Sequence, residues 1–230
     1  MTDIANEAMA PEREKPGRRL RDWPALAGIA FGPLLVLGFG IEPSSPYQAP
    51  LQEWVDWATD RGNGQRSMIS VYFFVLASLA FVVFAGGLAR RIRTVRGSGS
   101  LASIHVYGFG LMVAVLLAAS GVVLNTGPIA YLFDSESGLG KIPDPTDITF
   151  FEQINSIGNM LMTVALALAL AAFIAVASVS LRDTMPKWFT IFSYATAVIL
   201  LASIVLLPIL LMPIWPLIAG IVLLRRPVAA

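Results

Sequence analysis

Charged residues are absent from five long stretches of the chain, and these stretches dominate its hydrophobic pattern. Each is 19 to 37 residues long, at 23–41, 67–89, 97–133, 153–181 and 188–224. An apolar run of about 18 or more residues is long enough to cross a bilayer as a helix. The five stretches together hold 145 of the 230 residues. The pattern therefore predicts an all-α, polytopic membrane protein.

Helix-breaking residues divide the five stretches into six predicted spans. The Asn-Thr-Gly-Pro segment at 125–128 is expected to end the third span and to begin a long acidic loop over 125–152. The last stretch has 37 residues, and as one helix it would be about 55 Å long, too long for a single crossing. We expect a hairpin there, with Pro208 at the turn or at the first helical position and kinks at Pro213 and Pro216. The predicted spans are 24–40, 67–89, 101–124, 153–181, 188–206 and 208–224.

Charged residues outside the spans are divided unequally between the two membrane faces. With the N-terminus inside, six spans place 13 basic and six acidic residues in the cytoplasm, and three basic and nine acidic residues outside. This is the positive-inside pattern. The formal charge of +1 thus separates into +7 inside and −6 outside. Five spans would place Arg225 and Arg226 outside, so the sequence predicts six spans with both termini cytoplasmic.

Composition sets the class and the compartment. Hydrophobic residues make up 56% of the chain and charged residues 13%, whereas soluble proteins carry about 25% charged residues. A soluble enzyme, a nucleic-acid binder and a disordered protein are therefore excluded. Residues 1–22 are hydrophilic and are expected to be a disordered tail rather than a signal peptide, with the transmembrane domain over 23–226. Arg outnumbers Lys 13 to 3, which indicates a high-GC bacterial gene and hence a bacterial plasma membrane.

The segment between the first two spans predicts a short amphipathic helix over about 50–61. Trp54 and Trp57 lie on its apolar face, and acidic residues lie opposite. An interfacial helix with both indole rings at headgroup depth is the simplest interpretation. The alternative is a lid over an outward-facing cavity.

Uncharged polar residues are the informative groups within the spans, because no span has a central Asp, Glu, Lys or Arg. Asn155, Asn159 and Thr163 recur at i, i+4 and i+8 in the outer half of the fourth span, and Ser120 and Asn125 stand near the outer end of the third. These residues predict either a small polar pocket near the outer leaflet or ordinary interhelical hydrogen bonds, each worth about 1 kcal/mol or less. Thr149 and Glu152 are expected to form a capping box where the fourth span begins.

His105 is the single histidine, and it lies near the inner end of the third span with Tyr194 at a similar depth. We expect a neutral histidine that is hydrogen-bonded between helices; a small inner polar site with Tyr194 is the alternative. One histidine and no cysteine exclude a haem held by two histidines of one chain and a thiolate metal site. We therefore predict no catalytic residue, no metal and no cofactor.

Small residues spaced four apart predict close contacts between helices. Gly28 and Gly32 form a GxxxG pair in the first span, and Gly110 begins a similar series in the third. Such residues allow helix backbones to approach closely where lipid supplies no hydrophobic driving force. Packing within the chain is the favoured use, and a homodimer is the alternative.

Five loose features remain: a basic stretch before Gly28-Ile29-Ala30-Phe31-Gly32, the tryptophan-containing outer helix, Asn155-x-x-x-Asn159, the inner turn at 182–188 and the closing Leu-Arg-Arg-Pro at 224–227. Together they resemble a broad group of small, uncharacterised bacterial membrane proteins known only as domains of unknown function. The resemblance covers about residues 24–228, and it implies a six-helix fold and no activity.

The sequence favours a non-enzymatic integral membrane protein that acts by interaction or by binding a small ligand. Its expected partners are the lipid bilayer and a membrane protein or a second copy of the chain, without nucleic acid. A transporter or permease for a neutral or lipophilic molecule is the alternative hypothesis. An enzyme acting on a lipid-linked substrate is the third.

Overall fold

A computed structural model describes residues 18–46, 49–136, 145–202 and 211–225. These residues are almost entirely helical, which confirms the predicted all-α class for this part of the chain. A π-helical turn, Leu161–Ala165, joins the sixth helix to the seventh. The helices are α1 (Arg18–Ile41), α2 (Leu51–Thr59), α3 (Arg61–Arg96), α4 (Leu101–Leu124), α5 (Thr126–Glu136), α6 (Pro145–Met160), α7 (Leu166–Leu181), α8 (Lys187–Leu201) and α9 (Leu211–Arg225).

Among the described residues, four helices are long and apolar enough to cross a membrane: the 23–41 part of α1, α3, α4 and the continuous helix over 149–181. The apolar helices α8 and α9 have 15 residues each, or about 22 Å, which is shorter than the bilayer core of about 30 Å. Pro216 lies inside α9. The predicted turn at Pro208 lies outside the described residues, and so do residues 1–17 of the predicted tail.

Helix α3 extends beyond the predicted span at both ends, because both ends are capped. At its start the Asp60 carboxylate accepts a 2.7 Å hydrogen bond from the backbone N–H of Asn63, which satisfies one of the free donors of the first turn. At its end Gly97 has a φ of +92°, a conformation that glycine adopts without steric cost. Helix α1 likewise begins at Arg18, so the last residues of the predicted tail are helical.

The predicted loop over 125–152 is wrong for most of the residues described there, because it contains α5 and the start of α6. The error arises at Pro128, which belongs to the segment that predicts a helix break. Pro128 lies in the first turn of α5, and Pro145 is the first residue of α6. Proline fits these positions because its missing N–H has no partner in a first helical turn. Since α6 begins at Pro145, the expected capping box at Thr149 is also wrong.

Six helices form a closed ring. Helix α1 packs against α3 and α9, α3 against α4, α4 against the α6–α7 helix, α7 against α8, and α8 contacts α9. Helices α2 and α5 and the first turns of α6 lie together at one end of this ring. We name them the outer cap, following the predicted orientation.

Aromatic side chains fill the centre of the ring. The Phe173 ring lies 5.0 Å from that of Phe81 and 5.9 Å from that of Trp215, measured between centroids. Trp215 also stacks on Phe189 at 5.9 Å with an interplanar angle of 29°. Tilted and offset pairs of this kind suit the quadrupoles of the rings. The centre of the described bundle is therefore a packed apolar core.

The GxxxG pair is used within the chain, as the favoured interpretation predicts. A Cβ atom on Gly28 would lie 2.6 Å from Cδ2 of Phe84 and 3.0 Å from the carbonyl oxygen of Pro216, and one on Gly32 would lie 3.0 Å from the Pro213 carbonyl. A Cβ atom on Gly220 would meet the Ala25 carbonyl oxygen at 2.5 Å. Helices α1 and α9 therefore approach each other at backbone distance.

Candidate functional site

Asn155 connects three parts of the outer end. Its buried side chain donates a 3.1 Å hydrogen bond from Nδ2 to the carbonyl oxygen of Leu124, the last residue of α4. Its Oδ1 accepts a 3.2 Å hydrogen bond from the Ser45 hydroxyl. The Leu124 carbonyl belongs to the last turn of a helix, where no intrahelical N–H is available. Asn155 therefore holds α6 against the end of α4 and against the segment that follows α1.

Asn159 and Thr163 continue the polar stripe along the same helix. Nδ2 of Asn159 donates to Oδ1 of Asn155 at 3.0 Å, and the Thr163 hydroxyl donates to the Asn159 carbonyl at 2.6 Å. Thr163 lies inside the π-helical turn, a feature that is frequent at functional sites. The stripe is thus a hydrogen-bonded chain, and Asn155 is the member that crosses to another helix.

Ser120 and Asn125, the predicted contributors from the third span, make separate contacts. The Ser120 hydroxyl donates to the Leu116 carbonyl at 2.7 Å and lies 3.5 Å from the sulfur of Met162 in the π-helical turn. Nδ2 of Asn125 donates to the Gly121 carbonyl at 2.9 Å. The structure therefore brings Ser120 against the π-helical turn at Met162 and leaves Asn125 at the junction of α4 and α5.

The outer-cap tryptophans face protein rather than the membrane surface. Trp54 is 4% exposed and Trp57 is 9% exposed, and their rings make an edge-to-face contact at 5.6 Å. The Trp57 ring packs on Gly127 of α5, where a Cβ atom would lie 3.3 Å from its Cζ3 atom. The rings therefore pack on a protein surface that α5 supplies where the sequence indicated a loop, and their headgroup depth stays a prediction. Glu53 and Asp56 are exposed on the opposite face, as predicted.

Four buried polar atoms near the outer cap have no hydrogen-bond partner within the described part of the chain. They are Nε1 of Trp54, Nε1 of Trp57, Oγ of Ser67 and Oδ1 of Asn125. Leaving such a group unpaired costs about 1–3 kcal/mol, and a native structure that contains one needs a reason for it. The sequence placed Asn125 and both tryptophans in candidate sites, but Ser67 carries no sequence signal because only burial distinguishes it.

A carboxyl group with an unusual pKa lies at the end of α1. Burial raises the pKa of Glu42 from 4.5 to about 7 because desolvation disfavours the charged form. Arg66 and Ser70 of α3 hold the adjacent helix end by donating to the carbonyls of Ile41 at 3.1 Å and Gly38 at 2.9 Å. In the sequence Glu42 is one of nine acidic residues predicted to lie outside, and hydropathy alone does not reveal its burial.

His105 and Tyr194 do not form the predicted inner site. His105 is exposed, and its Nδ1 atom lies 2.8 Å from the Leu101 carbonyl of its own helix. The expected interhelical hydrogen bond is therefore wrong. Tyr194 lies on the exposed side of α8, and no hydrogen bond joins it to His105 in the described ranges. A histidine at a helical position can turn outward as readily as inward, and sequence spacing does not decide between them.

A narrow cleft lies in the inner half of the ring, between α7, α8 and α9. Its free volume is about 10 Å³, which is room for about one water molecule. Met185, Phe189 and Ser178 line it, together with Ser193, whose hydroxyl oxygen accepts a 2.8 Å hydrogen bond from Nε1 of Trp215. Among the hydroxyl groups of the cleft, that of Ser193 joins two helices, whereas that of Ser178 bonds to the Ile174 carbonyl of its own helix.

Long apolar helices around an aromatic core, with apolar side chains on the outside, are the features of an α-helical integral membrane protein. Leu101, Ile104 and Val115 of α4 are all largely exposed, an arrangement that lipid solvates and water does not. Comparison of the chain with protein-family models, curated proteins and solved structures finds no match.

Proposed function

We propose that this chain is a multi-pass protein of the bacterial plasma membrane, with six spans and both termini in the cytoplasm. The positions of α8 and α9 support the two additional spans, because these helices complete the ring between α7 and α1. A short helix spans a bilayer when the membrane thins locally or when flanking residues extend its reach. The resemblance to uncharacterised bacterial six-span proteins agrees with this count and stays a prediction.

The charges on the folded ring support this orientation. Arg96 at the end of α3 donates to the carbonyls of Val179 and Ser180 at 2.8 and 2.9 Å, so the last turns of α3 and α7 lie at the same end. That end also carries Arg93 and Lys187, and the outer cap carries Glu53. Basic residues are retained on the cytoplasmic side of membrane proteins.

Single-cysteine labelling tests the topology, because the natural chain contains no cysteine. We expect Asp56→Cys to react with a membrane-impermeant maleimide in intact cells, and Asp183→Cys and Ala230→Cys to react only after the cells are permeabilised. Labelling of Ala230→Cys in intact cells would contradict the sixth span. Labelling of Asp183→Cys but not Asp56→Cys in intact cells would reverse the orientation.

We also propose that the protein binds a small ligand under α2, without catalysing a reaction. The observation that carries this proposal is the set of four unpaired polar atoms near the outer cap. Two indole N–H groups donate hydrogen bonds, the Asn125 amide oxygen accepts one, and Phe151 and Val55 supply apolar walls. This combination suits a neutral or lipophilic molecule that carries a hydroxyl or carbonyl group.

Helix α2 is the element that would admit such a molecule. It has nine residues, too few to be stable as an isolated helix, and its apolar side packs against α3, α5 and α6. Its opposite side is polar and already exposed, so movement of α2 away from the cap would expose only its one apolar side. The lid interpretation therefore agrees with the packing better than the interfacial one.

Native mass spectrometry of the purified chain tests ligand binding. We expect a small molecule to co-purify with the natural chain and to be lost from Trp57→Phe and Asn125→Leu, each of which removes one of the unpaired polar groups. Trp188→Phe is the matched control, because Trp188 is exposed at the opposite end. Equal ligand content in all four proteins would refute the site.

A transporter for a neutral or lipophilic molecule is the second candidate. The hydrogen-bonded chain from Asn155 to Thr163, which enters a π-helical turn, favours it. For a transported molecule to pass along these hydrogen-bonded residues, the aromatic core around Phe81 and Phe173 would have to separate. Uptake or efflux of a compound panel that is unchanged by Asn155→Leu combined with Asn159→Leu would remove the support for this function.

A further inference from the structure

Helix α8 has one apolar face that no part of the described chain covers. The helix packs on α7 and contacts α9, while Ile191 and Val198 remain 69% and 65% exposed. A shallow, open groove runs along this face, formed by Ile191, Tyr194, Ala195, Val198 and Ile199 of this one helix. The groove is apolar along its length and open to the surroundings of the bundle.

The inner end of this groove is basic and aromatic. Lys187 precedes Ile191 by four residues and Tyr194 by seven, so its side chain lies on the grooved face. The exposed Trp188 stands beside it. Arg182 is in the turn just before α8, and its ion pair with Asp183 is 3.5 Å long with both side chains mostly exposed. Such an exposed pair contributes little and leaves the guanidinium accessible.

The dimensions of this face match one lipid leaflet. From Lys187 to Ile199 the helix rises by about 18 Å, and half of a bilayer core is about 15 Å. A cation at the interface followed by an apolar groove of this length fits the two parts of an anionic phospholipid. We propose that α8 binds one such lipid, with its phosphate at Lys187 and Arg182 and an acyl chain along the groove.

Charge complementarity decides between an anionic and a zwitterionic lipid. Lys187 supplies a point charge, and Arg182 supplies paired N–H donors that match phosphate oxygens. The exposed face of α4 serves as an internal comparison, because Leu101 and Ile104 also present apolar surface there. The segment before α4, at 97–100, has no charged residue. The α4 face therefore lacks the headgroup contact that the α8 face offers.

The test measures lipid retention by native mass spectrometry of the purified full chain, with phosphatidylglycerol and phosphatidylcholine of equal acyl length. We expect the natural chain to retain one phosphatidylglycerol in preference to phosphatidylcholine. Lys187→Gln should lower its retention about fivefold, since each basic residue at an anionic surface contributes about 1 kcal/mol. Ala195→Trp should lower retention by filling the groove.

Two matched controls and one competitor complete the test. Arg93→Gln removes another exposed cation at the same end of the ring, and Val115→Trp enlarges an exposed residue on α4. Both variants should retain phosphatidylglycerol as the natural chain does. Equal losses in Arg93→Gln and Lys187→Gln would show a diffuse basic surface and overturn the site. Displacement of phosphatidylglycerol by millimolar inorganic phosphate would overturn the proposed role of the acyl chain.

The inference rests on the proposed placement of the chain in a bilayer and not on a ligand in the outer cap. Trp57→Phe should therefore retain phosphatidylglycerol even where it loses the small molecule. Reversed cysteine labelling would change which leaflet supplies the lipid, while the retention measured on the purified chain would be unaffected. Failure of one proposal is thus distinguishable from failure of the other.

Discussion

Nε1 of Trp215 on α9 donates a 2.8 Å hydrogen bond to the hydroxyl oxygen of Ser193 on α8, and both side chains are buried. The same hydroxyl donates to the Phe189 carbonyl at 2.8 Å, so its orientation is defined. This contact joins the two shortest apolar helices of the ring. Since α8 otherwise packs mainly on α7, this hydrogen bond and the stacking of Trp215 on Phe189 close the ring.

Ser193→Ala should therefore destabilise the bundle. The buried Trp215 N–H would lose its acceptor, at a cost of about 1–3 kcal/mol in the free energy of unfolding. Ser178→Ala is the control, because the buried Ser178 hydroxyl bonds only to the Ile174 carbonyl of its own helix. Denaturant unfolding in detergent should separate the two variants. Equal stability of Ser193→Ala and Ser178→Ala would contradict this account.

Gly28→Ala should loosen the contact between α1 and α9. The added Cβ atom would overlap Phe84 and approach the Pro216 carbonyl, and overpacking of this kind costs about 1–3 kcal/mol. Gly40→Ala provides the comparison, since no atom lies within 4 Å of its Cβ position and alanine favours helix. We expect a lower melting temperature for Gly28→Ala only. A similar change in both variants would mean that α1 does not approach α9 at Gly28.

Asn155→Leu should weaken the junction of α4 and α6, because the Leu124 carbonyl and the Ser45 hydroxyl both lose a partner. The expected cost is about 1–3 kcal/mol. Thr163→Val is the control, since its hydroxyl bonds within its own helix. Hydrogen exchange should increase in the last turn of α4 in Asn155→Leu alone; unchanged protection there would argue against the bridge.

Glu42 should make stability depend on pH between about 4.5 and 7. Its pKa is raised from 4.5 to about 7 by burial, so the folded chain binds the extra proton and the unfolded chain does not. Stability should therefore be highest below about pH 4.5 as far as this group is concerned, and should fall as the pH rises from there to about 7. Glu42→Gln should remove this component and melt at a higher temperature at pH 8.

The control for the pH prediction is Glu53→Gln, because Glu53 is exposed on α2. Its melting temperature should follow that of the natural chain at pH 5 and at pH 8. Parallel curves for Glu42→Gln and the natural chain would show that the carboxyl is solvated in the folded state.

Hydrophobic runs predicted the long helices well, because span length and charge depletion are imposed by the bilayer core. They gave wrong predictions where one residue type is compatible with two different local structures. The segment that ends at Pro128 predicts a helix break, although proline also fits the first turn of a helix. Because helix α5 was not predicted, the protein surface that buries Trp57 was not predicted either. One misassigned segment thus changed the interpretation of the whole outer cap.

The aromatic core shows a second limit of sequence patterns. Phenylalanines occur on α3 with both buried and partly exposed side chains, as Phe74 and Phe73 show. Lipid and protein interior are equally apolar, so hydropathy does not distinguish the two sides of a spanning helix. Asn155 was predicted as a polar residue of interest because it is costly in lipid. Its partner, the carbonyl at the end of α4, depends on how the helices are aligned.

The length of helix α3 fixes the distance between two arginine contacts at opposite ends of the bundle. Arg66 near its start holds the end of α1, and Arg96 at its last turn holds the end of α7. Thirty residues of helix separate them, which is about 45 Å, the thickness of a bilayer with its headgroups. The two arginines are therefore separated along the helix by about one bilayer thickness, headgroups included. A membrane of different thickness would strain the contact that Arg66 or Arg96 makes with its neighbouring helix. The packing of this bundle should therefore respond to bilayer thickness.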